Sequence, residues 1–207
     1  MPVIVVANPK GGAGKSTLST QLAGYLANQG HAVMLGDMDR QQSSRLWLGL
    51  RPADAAPIRG WDMTGEDGVK PPKGTTHVVV DTPAGLRGKK LSSVLRVAHR
   101  VLVPLQASVF DLHATRDFLA ELAEHKHSGR AQVGIVGMRM DVRTIAADRL
   151  RAFVEATGLP VLGHLRNTQN YVHLAAQGLS LFDVAAPRVA RDLAQWEGIC
   201  HWVDAAA

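Results

Sequence analysis

Cysteine is nearly absent: Cys200 is the only one in 207 residues. One thiol can neither close an internal disulfide nor hold an iron–sulfur cluster, and such a chain suits a reducing compartment. Aromatic residues are scarce as well, at 5% against a hydrophobic total of 46%. That balance, dominated by Ala, Val and Leu, fits an α/β protein better than a β-sandwich. No apolar run approaches the roughly 20 residues of a membrane span. No signal peptide is expected, because a Gly-rich loop begins almost at once. Acidic residues are outnumbered, 18 against 23 Lys and Arg, for a net charge of +5. A basic balance favours polyanionic partners such as nucleic acid or an anionic membrane face, although a solvated basic surface accounts for it equally well. Repeats, low-complexity tracts and domain boundaries are also missing. The length suits a single α/β domain spanning 1–207.

The most telling segment is Lys10-Gly11-Gly12-Ala13-Gly14-Lys15-Ser16-Thr17. It follows the apolar run Val3-Ile4-Val5-Val6-Ala7 and opens an amphipathic stretch carrying Leu18, Leu22, Tyr25 and Leu26. A buried strand, a Gly-rich turn and a helix N-terminus make a phosphate cradle. Glycines let backbone N–H groups point at phosphate oxygens, and the helix end adds partial positive charge. Lys15 can reach the β- and γ-phosphates, and the Ser16 hydroxyl can ligate Mg²⁺. The common phosphate-loop pattern wants Gly five positions before Gly14. Pro9 stands there instead, and a second lysine, Lys10, follows it.

Strand-like apolar runs recur at 3–7, 32–36, 77–80, 101–105, 133–137 and 161–165, and a short strand fits near 56–61. Helical periodicity covers 16–29, about 88–98, 112–126, 145–157 and 187–203. Leu112, Phe118, Leu119 and Leu122 share one helical face. Ala146, Leu150, Phe153 and Val154 share another, which stops at Gly158. Val189, Leu193, Trp196, Cys200 and Val203 form the inward face of the last segment. Residues 49–76, with Pro52, Pro57, Pro71 and Pro72, are the least regular part. The alternation predicts a mostly parallel twisted sheet, with helices on both faces and ligands at the carboxyl ends of its strands.

Acidic residues follow two of these strands, as Asp37-Met38-Asp39 and as Asp81-Thr82-Pro83-Ala84-Gly85. Both groups belong at the sheet edge that carries the Gly-rich loop. Mg²⁺-ATP hydrolysis needs that convergence: carboxylates near the ion and one placed to orient water. A lone strand-end aspartate often caps the next helix. Three of them at one phosphate loop call for more than capping. His125 and His127 read as a solvated helix end, and Trp47, Trp61, Trp196 and Trp202 as core or interface residues.

Together these motifs resemble the ParA/MinD family of deviant phosphate-loop ATPases, from residue 3 to about 203. The resemblance implies ATP and Mg²⁺ as cofactors and Lys10, Lys15 and Asp39 as catalytic residues. Asp39 would position the attacking water. Asp37 would be a loop and metal-shell residue, Asp81 the metal aspartate, and Ser16 a metal ligand. Residues Lys10 to Thr17 would hold the nucleotide phosphates, with Thr17 at the α-phosphate. Lys10 would reach the partner subunit's nucleotide in an ATP-bound homodimer. Many members carry Asn at the end of the fifth central strand to read adenine. Met138 and Arg139 take that place here. Members often have Pro where Arg40 stands. The segments from Pro104 to Leu112 and from Leu165 to Ser180 are similar to later parts of the family.

The resemblance further implies a cytoplasmic, nucleoid-associated ATPase that positions a plasmid, chromosome or protein cargo. It would bind DNA non-specifically and hydrolyse ATP slowly until a ParB-like or cargo-adaptor protein stimulates it. Candidate DNA-facing cations are Arg87, Lys89, Lys90, Arg96 and Arg100, and Arg139, Arg143, Arg149, Arg151, Arg166, Arg188 and Arg191. A MinD-like membrane-associated ATPase is the alternative. Residues 187–203 carry no net basic charge for it. A metabolic enzyme of dethiobiotin-synthetase type is a third reading, against which Lys10 counts.

Overall fold

The computed structural model describes residues 1–63, 73–141 and 144–205. Pro71, Pro72, Arg143 and the Ala146 side chain lie outside this description. Seven strands form one sheet in the order β3-β2-β4-β1-β5-β6-β7. They are β1 (Val3–Val6), β2 (Val33–Asp37), β3 (Ile58–Asp62), β4 (His77–Asp81), β5 (Arg100–Gln106), β6 (Gln132–Met140) and β7 (Val161–Arg166). Every neighbouring pair is parallel. The helices are α1 (Lys15–Asn28), α2 (Ser43–Leu50), α3 (Gly88–Leu95), α4 (Val109–Glu124), α5 (Ile145–Thr157), α6 (Gln169–Ala175), α7 (Ala186–Leu193) and α8 (Glu197–Asp204).

Side chains alternate across the central strands and feed two cores. Val3 and Val5 of β1, Val78 and Val80 of β4, and Val101 and Val103 of β5 face Leu91 and Val94 of α3, Phe118 and Leu122 of α4, and Leu150 and Val154 of α5. Ile4, Val6, Val79 and Leu102 face the other way, onto Leu18, Leu22 and Leu26 of α1, Trp47 of α2, and Trp196, Ile199 and Val203 near the end of the chain. Burial on both faces explains why these strands read as continuous apolar runs. It also sends α1 and α3 to opposite faces, although they follow adjacent strands. The helices after β1 and β4 therefore diverge, and a crevice opens at the carboxyl ends of the strands. Such a switch point is where open parallel sheets take ligands.

Two helices escaped the periodicity. The N-terminus of α2 is capped by a residue distant in sequence, since Gln42 at its N-cap position makes no side-chain cap. The other, α6, has seven residues and buries none of them. The expected helix over 187–203 is also broken. Val189 leaves helical geometry at φ −130°, and a 3₁₀ turn at 194–196 separates α7 from α8. Close packing on β7 dictates this path. A Cβ on Gly198 would lie 2.3 Å from the Leu162 carbonyl, and one on Gly163 would lie 2.7 Å from the Gln195 carbonyl. Gln195 Oε1 also accepts the Arg166 backbone N–H at 2.9 Å, and Trp196 Nε1 donates to the Tyr171 hydroxyl at 2.9 Å. The inward face is as expected for Val189, Trp196 and Val203, whereas Leu193 and Cys200 are only half-buried. Burial still pushes the Cys200 thiol up to about 12.

Backbone packing makes one glycine a sharp test. Gly178 has φ +66°, and a Cβ there would lie 2.3 Å from the Arg51 backbone nitrogen and 2.4 Å from the Leu50 carbonyl carbon. Gly158 has the same φ and open space around it. Urea unfolding should show Gly158→Ala costing about 1 kcal/mol, and Gly178→Ala costing upwards of about 3 kcal/mol. Equal costs would mean that the α2 end is not held against Gly178.

Candidate nucleotide and metal site

The loop between β1 and α1 is braced from three sides. Asn8, buried beneath it, donates from Nδ2 to the Pro104 carbonyl at 2.8 Å and to Thr115 Oγ1 at 3.0 Å, while its Oδ1 accepts the Lys10 N–H at 2.8 Å. Gln106, at the end of β5, donates to the Gly12 carbonyl at 2.6 Å. The Gly85 N–H, in the loop after β4, donates to the Pro9 carbonyl at 2.9 Å. Gly12 and Gly14 adopt φ +75° and +94°, a region that only glycine enters at low cost. A Cβ on Gly11 or Gly12 would meet nothing within 4 Å. The cradle is therefore open on its outer side and rigid underneath, with its N–H groups at the head of α1.

Lys15 is buried, and its Nζ donates to the Lys10 carbonyl at 2.8 Å. Burial lowers its pKa, while Asp81 and Asp39 pull it back up. Thr17 and Ser16 lie half-buried on the first turn of α1, and Lys10 is exposed. Together with Met38, Asp39, Arg40, Gln41, Pro83, Ala84, Arg87, Lys90 and Arg139, the loop lines one cleft of about 710 Å³. The sequence-derived residues Lys15, Ser16, Thr17 and Asp39 thus converge on a single cavity. Four cations surround it in addition to Lys15, so it is built for an anion.

The aspartates divide their work. Asp37 and Asp81 are register partners at the ends of β2 and β4. Asp37 gives both oxygens to backbone: Oδ1 accepts the Asp39 N–H at 2.9 Å, and Oδ2 accepts the N–H groups of Ser44 at 2.9 Å and Arg45 at 3.2 Å. It caps α2 from seven residues upstream. Asp39 is half-buried, and its Oδ1 accepts the Gln41 N–H at 3.0 Å in a tight Asx turn. Asp81 is 1% exposed. Its Oδ2 accepts the Ser44 hydroxyl at 2.7 Å, and its Oδ1 is buried with no partner. A buried carboxylate oxygen without a donor is costly. Mg²⁺ or one of its waters would answer that deficit, and the residues present fit the ion, with Ser16 beside Asp81 as a second oxygen ligand. Burial pushes the Asp81 carboxyl up to about 6. The Ser16 and Ser44 hydroxyls work against the rise, Asp37 adds to it, and Lys15 offsets it.

Met138 and Arg139 part company. Met138 is buried, and its Cε would lie 2.7 Å from a Cβ on Gly14. Met138 therefore packs against the Gly-rich loop at the head of α1. Arg139 is exposed in the cleft wall with φ +52°, at an irregularity in the β6–β7 pairing. Arg100 leaves the expected basic surface altogether. It is buried, its guanidinium stacks 4.2 Å from the Trp202 ring centre, and Nη1 donates to Gln132 at 2.9 Å. Arg166 bonds the fully buried Asp192 at 2.5 Å. Three contributors were not read from the sequence: Asn8, the capping function of Asp37, and Ser44. Their signals are too short or too non-local to stand out.

The comparisons agree with this geometry. Residues 4–181 match the model of the "CobQ/CobB/MinD/ParA nucleotide binding domain". The chain is 29% identical over 192 residues to "Maintenance of carboxysome distribution protein A" of Halothiobacillus neapolitanus, covering 88% of each. It is 29% identical to the "Chromosome-partitioning ATPase Soj" of Thermus thermophilus, covering 74% of this chain and 75% of that one. Among solved structures, the Pyrococcus furiosus cell division ATPase MinD superposes with a TM-score of 0.76 at 17% identity, over 100% of this chain and 99% of that one. A McdA–ATP complex from Cyanothece gives 0.73 at 18%, over 96% of both. At such identities these two show the fold alone.

The buried Asp81 has a measurable pH consequence. Its folded pKa, about 6, lies above the ordinary value of 3.8. Its contribution to stability is therefore complete below about pH 4 and is lost as pH rises through 6. Without nucleotide or Mg²⁺, Asp81→Asn should be more stable than wild type at pH 8, by about 3 kcal/mol from a shift of roughly two units. In urea melts the gap should close as pH falls from 6 to 4. A gap independent of pH would contradict this account. A second variant tests the strain at Gln42, which sits at φ +49°. Gln42→Gly should stabilise the fold by about 1 kcal/mol in the same melts.

Proposed function

The chain belongs to the CobQ/CobB/MinD/ParA nucleotide-binding family, and from that premise we propose that it is a ParA-type ATPase that positions a cargo along DNA. One observation carries the reading most: Lys15, Ser16 and the unpartnered Asp81 Oδ1 lie together at one sheet edge, under a rigid Gly-rich cradle. In this reading the Gly11–Thr17 backbone and Lys15 hold the ATP phosphates. Ser16 and Asp81 hold Mg²⁺, and Asp37 shapes that shell from behind by fixing the Asp39 turn and α2. Bound Mg²⁺ draws charge from the phosphoryl oxygens. Asp39 orients the attacking water, and its fixed turn keeps the carboxylate facing the cleft. Lys10 is exposed and free to serve a partner subunit's nucleotide. The seven strands of one sheet support a single domain over 1–207.

Relatives with partition and distribution names cover most of their own length in the match, which supports cargo positioning. We assign non-specific DNA contact to exposed cations, among them Lys89, Arg96, Arg188 and Arg191. Phosphate contacts of this kind need no base readout. Partner-stimulated hydrolysis, an ATP-bound homodimer and a cytoplasmic, nucleoid-associated location complete the proposal. The membrane reading has less support. Among the described residues no helix is long and apolar enough to cross a bilayer. The apolar residues Trp196, Ile199 and Val203 of the final segment are spent on the sheet.

Lys15→Ala should weaken ATP binding by at least about tenfold, since a charge-assisted contact of 1.5–3 kcal/mol is lost. Lys10→Ala should bind ATP normally yet lose ATP-dependent dimerisation and DNA binding. Sedimentation and duplex-DNA anisotropy, with ATP, ADP and no nucleotide, read both. Wild-type DNA affinity should fall steeply with salt. A wild type that stays monomeric with ATP and ignores DNA would sink the proposal.

A further inference from the structure

Ser44 donates twice, to two different carboxylates. Its backbone N–H goes to Asp37 Oδ2 at 2.9 Å and its hydroxyl to Asp81 Oδ2 at 2.7 Å. Those aspartates are opposite one another on neighbouring strands, and all three residues are buried. Ser44 therefore stands between two like charges and holds both by hydrogen bonds.

We infer that Ser44 is a positioning residue for the metal site: its hydroxyl claims one oxygen of Asp81 and so turns the other, Oδ1, toward the ion. The inference rests on the Mg²⁺-ATP reading of the cleft. Rotation about the terminal bond of an aspartate is soft and roughly two-fold, so packing alone does not say which oxygen faces which way. A donor at 2.7 Å on one oxygen removes that freedom. In its absence, Oδ2 would be a second buried oxygen without a partner. Two other groups act on the Asp81 carboxyl, the Ser16 hydroxyl and the Lys15 ammonium. If either turned inward to Asp81, it would leave its own post on the metal or the phosphates. Ser44 thus protects the roles of both.

The same bond ties the metal carboxylate to α2. That helix starts at Ser43, directly after the loop carrying Asp39, and its first turn hangs from Asp37. Asp39, Asp37, Ser44 and Asp81 form one chain of bonded groups from the water-positioning turn to the metal shell. Partners behind a metal ligand commonly set affinity by 10- to 100-fold (roughly) when removed.

The test uses the full chain and fluorescence of N-methylanthraniloyl-ATP, first in EDTA and then titrated with MgCl₂. Ser44→Ala should bind the nucleotide in EDTA as wild type does, within about twofold, and should need about tenfold more Mg²⁺ for half-saturation. Ser44→Cys keeps the size and the backbone bond to Asp37 but offers only a weak donor. It should shift in the same direction, and it carries the test should Ser44→Ala fail to fold. Unchanged Mg²⁺ half-saturation in a folded variant would overturn the inference. So would an equal loss of affinity with and without Mg²⁺, the mark of a merely structural residue. A wild type whose nucleotide affinity ignores Mg²⁺ would overturn the nucleotide reading itself, and this inference with it.

Discussion

Two carboxylates end neighbouring strands side by side, almost without water, and the site is organised around keeping them there. Asp37 and Asp81 would repel one another across β2 and β4 if left alone. Asp37 is quieted by three backbone N–H groups, Asp81 by the Ser16 and Ser44 hydroxyls and by the nearby Lys15. Each compensating group is also a piece of structure. The N–H groups that quiet Asp37 begin α2, and the lysine beside Asp81 begins α1. The charge pair thus fixes where two helices start, and through them the two walls of the cleft.

This arrangement leaves one unmet demand, the free oxygen of Asp81. Other buried polar atoms of the protein are partnerless as well, including Arg100 Nε and Asp111 Oδ1. Among the described residues, Asp81 is the one of these that lies beside Lys15 and Ser16 at the Gly-rich loop. The energetic shortfall therefore marks the place where charge from outside is welcome.

How much of this was legible beforehand depended on range along the chain. The cradle from Lys10 to Thr17 was readable because every element of it is contiguous: strand, turn, helix head. The central strands were readable because burial on both faces leaves unbroken apolar runs, as in Val78–Val80 and Val101–Val103. The α2 helix was not, because its cap comes from Asp37 across a loop instead of from the residue before it. The break between α7 and α8 was hidden for a similar reason, since it answers to the surface of β7. Arg100 looked like surface charge in a basic stretch. Its partner, Trp202, lies about a hundred positions away. Met138 held the expected strand position, yet the loop it meets decides which way it serves.

That last contact links two positions that are distant in the chain. Gly14 sits at φ +94°, a conformation glycine alone enters at low cost, and the Met138 methyl group fills the space a Cβ would take. The bulk at 138 and the bareness at 14 are one fitted volume, shared between the end of β6 and the head of α1. A lineage that shortens residue 138 opens a void beneath the loop, and one that enlarges it pushes the loop outward into the cleft. Across homologues, the size of residue 138 should drift in step with the path of the Gly-rich loop.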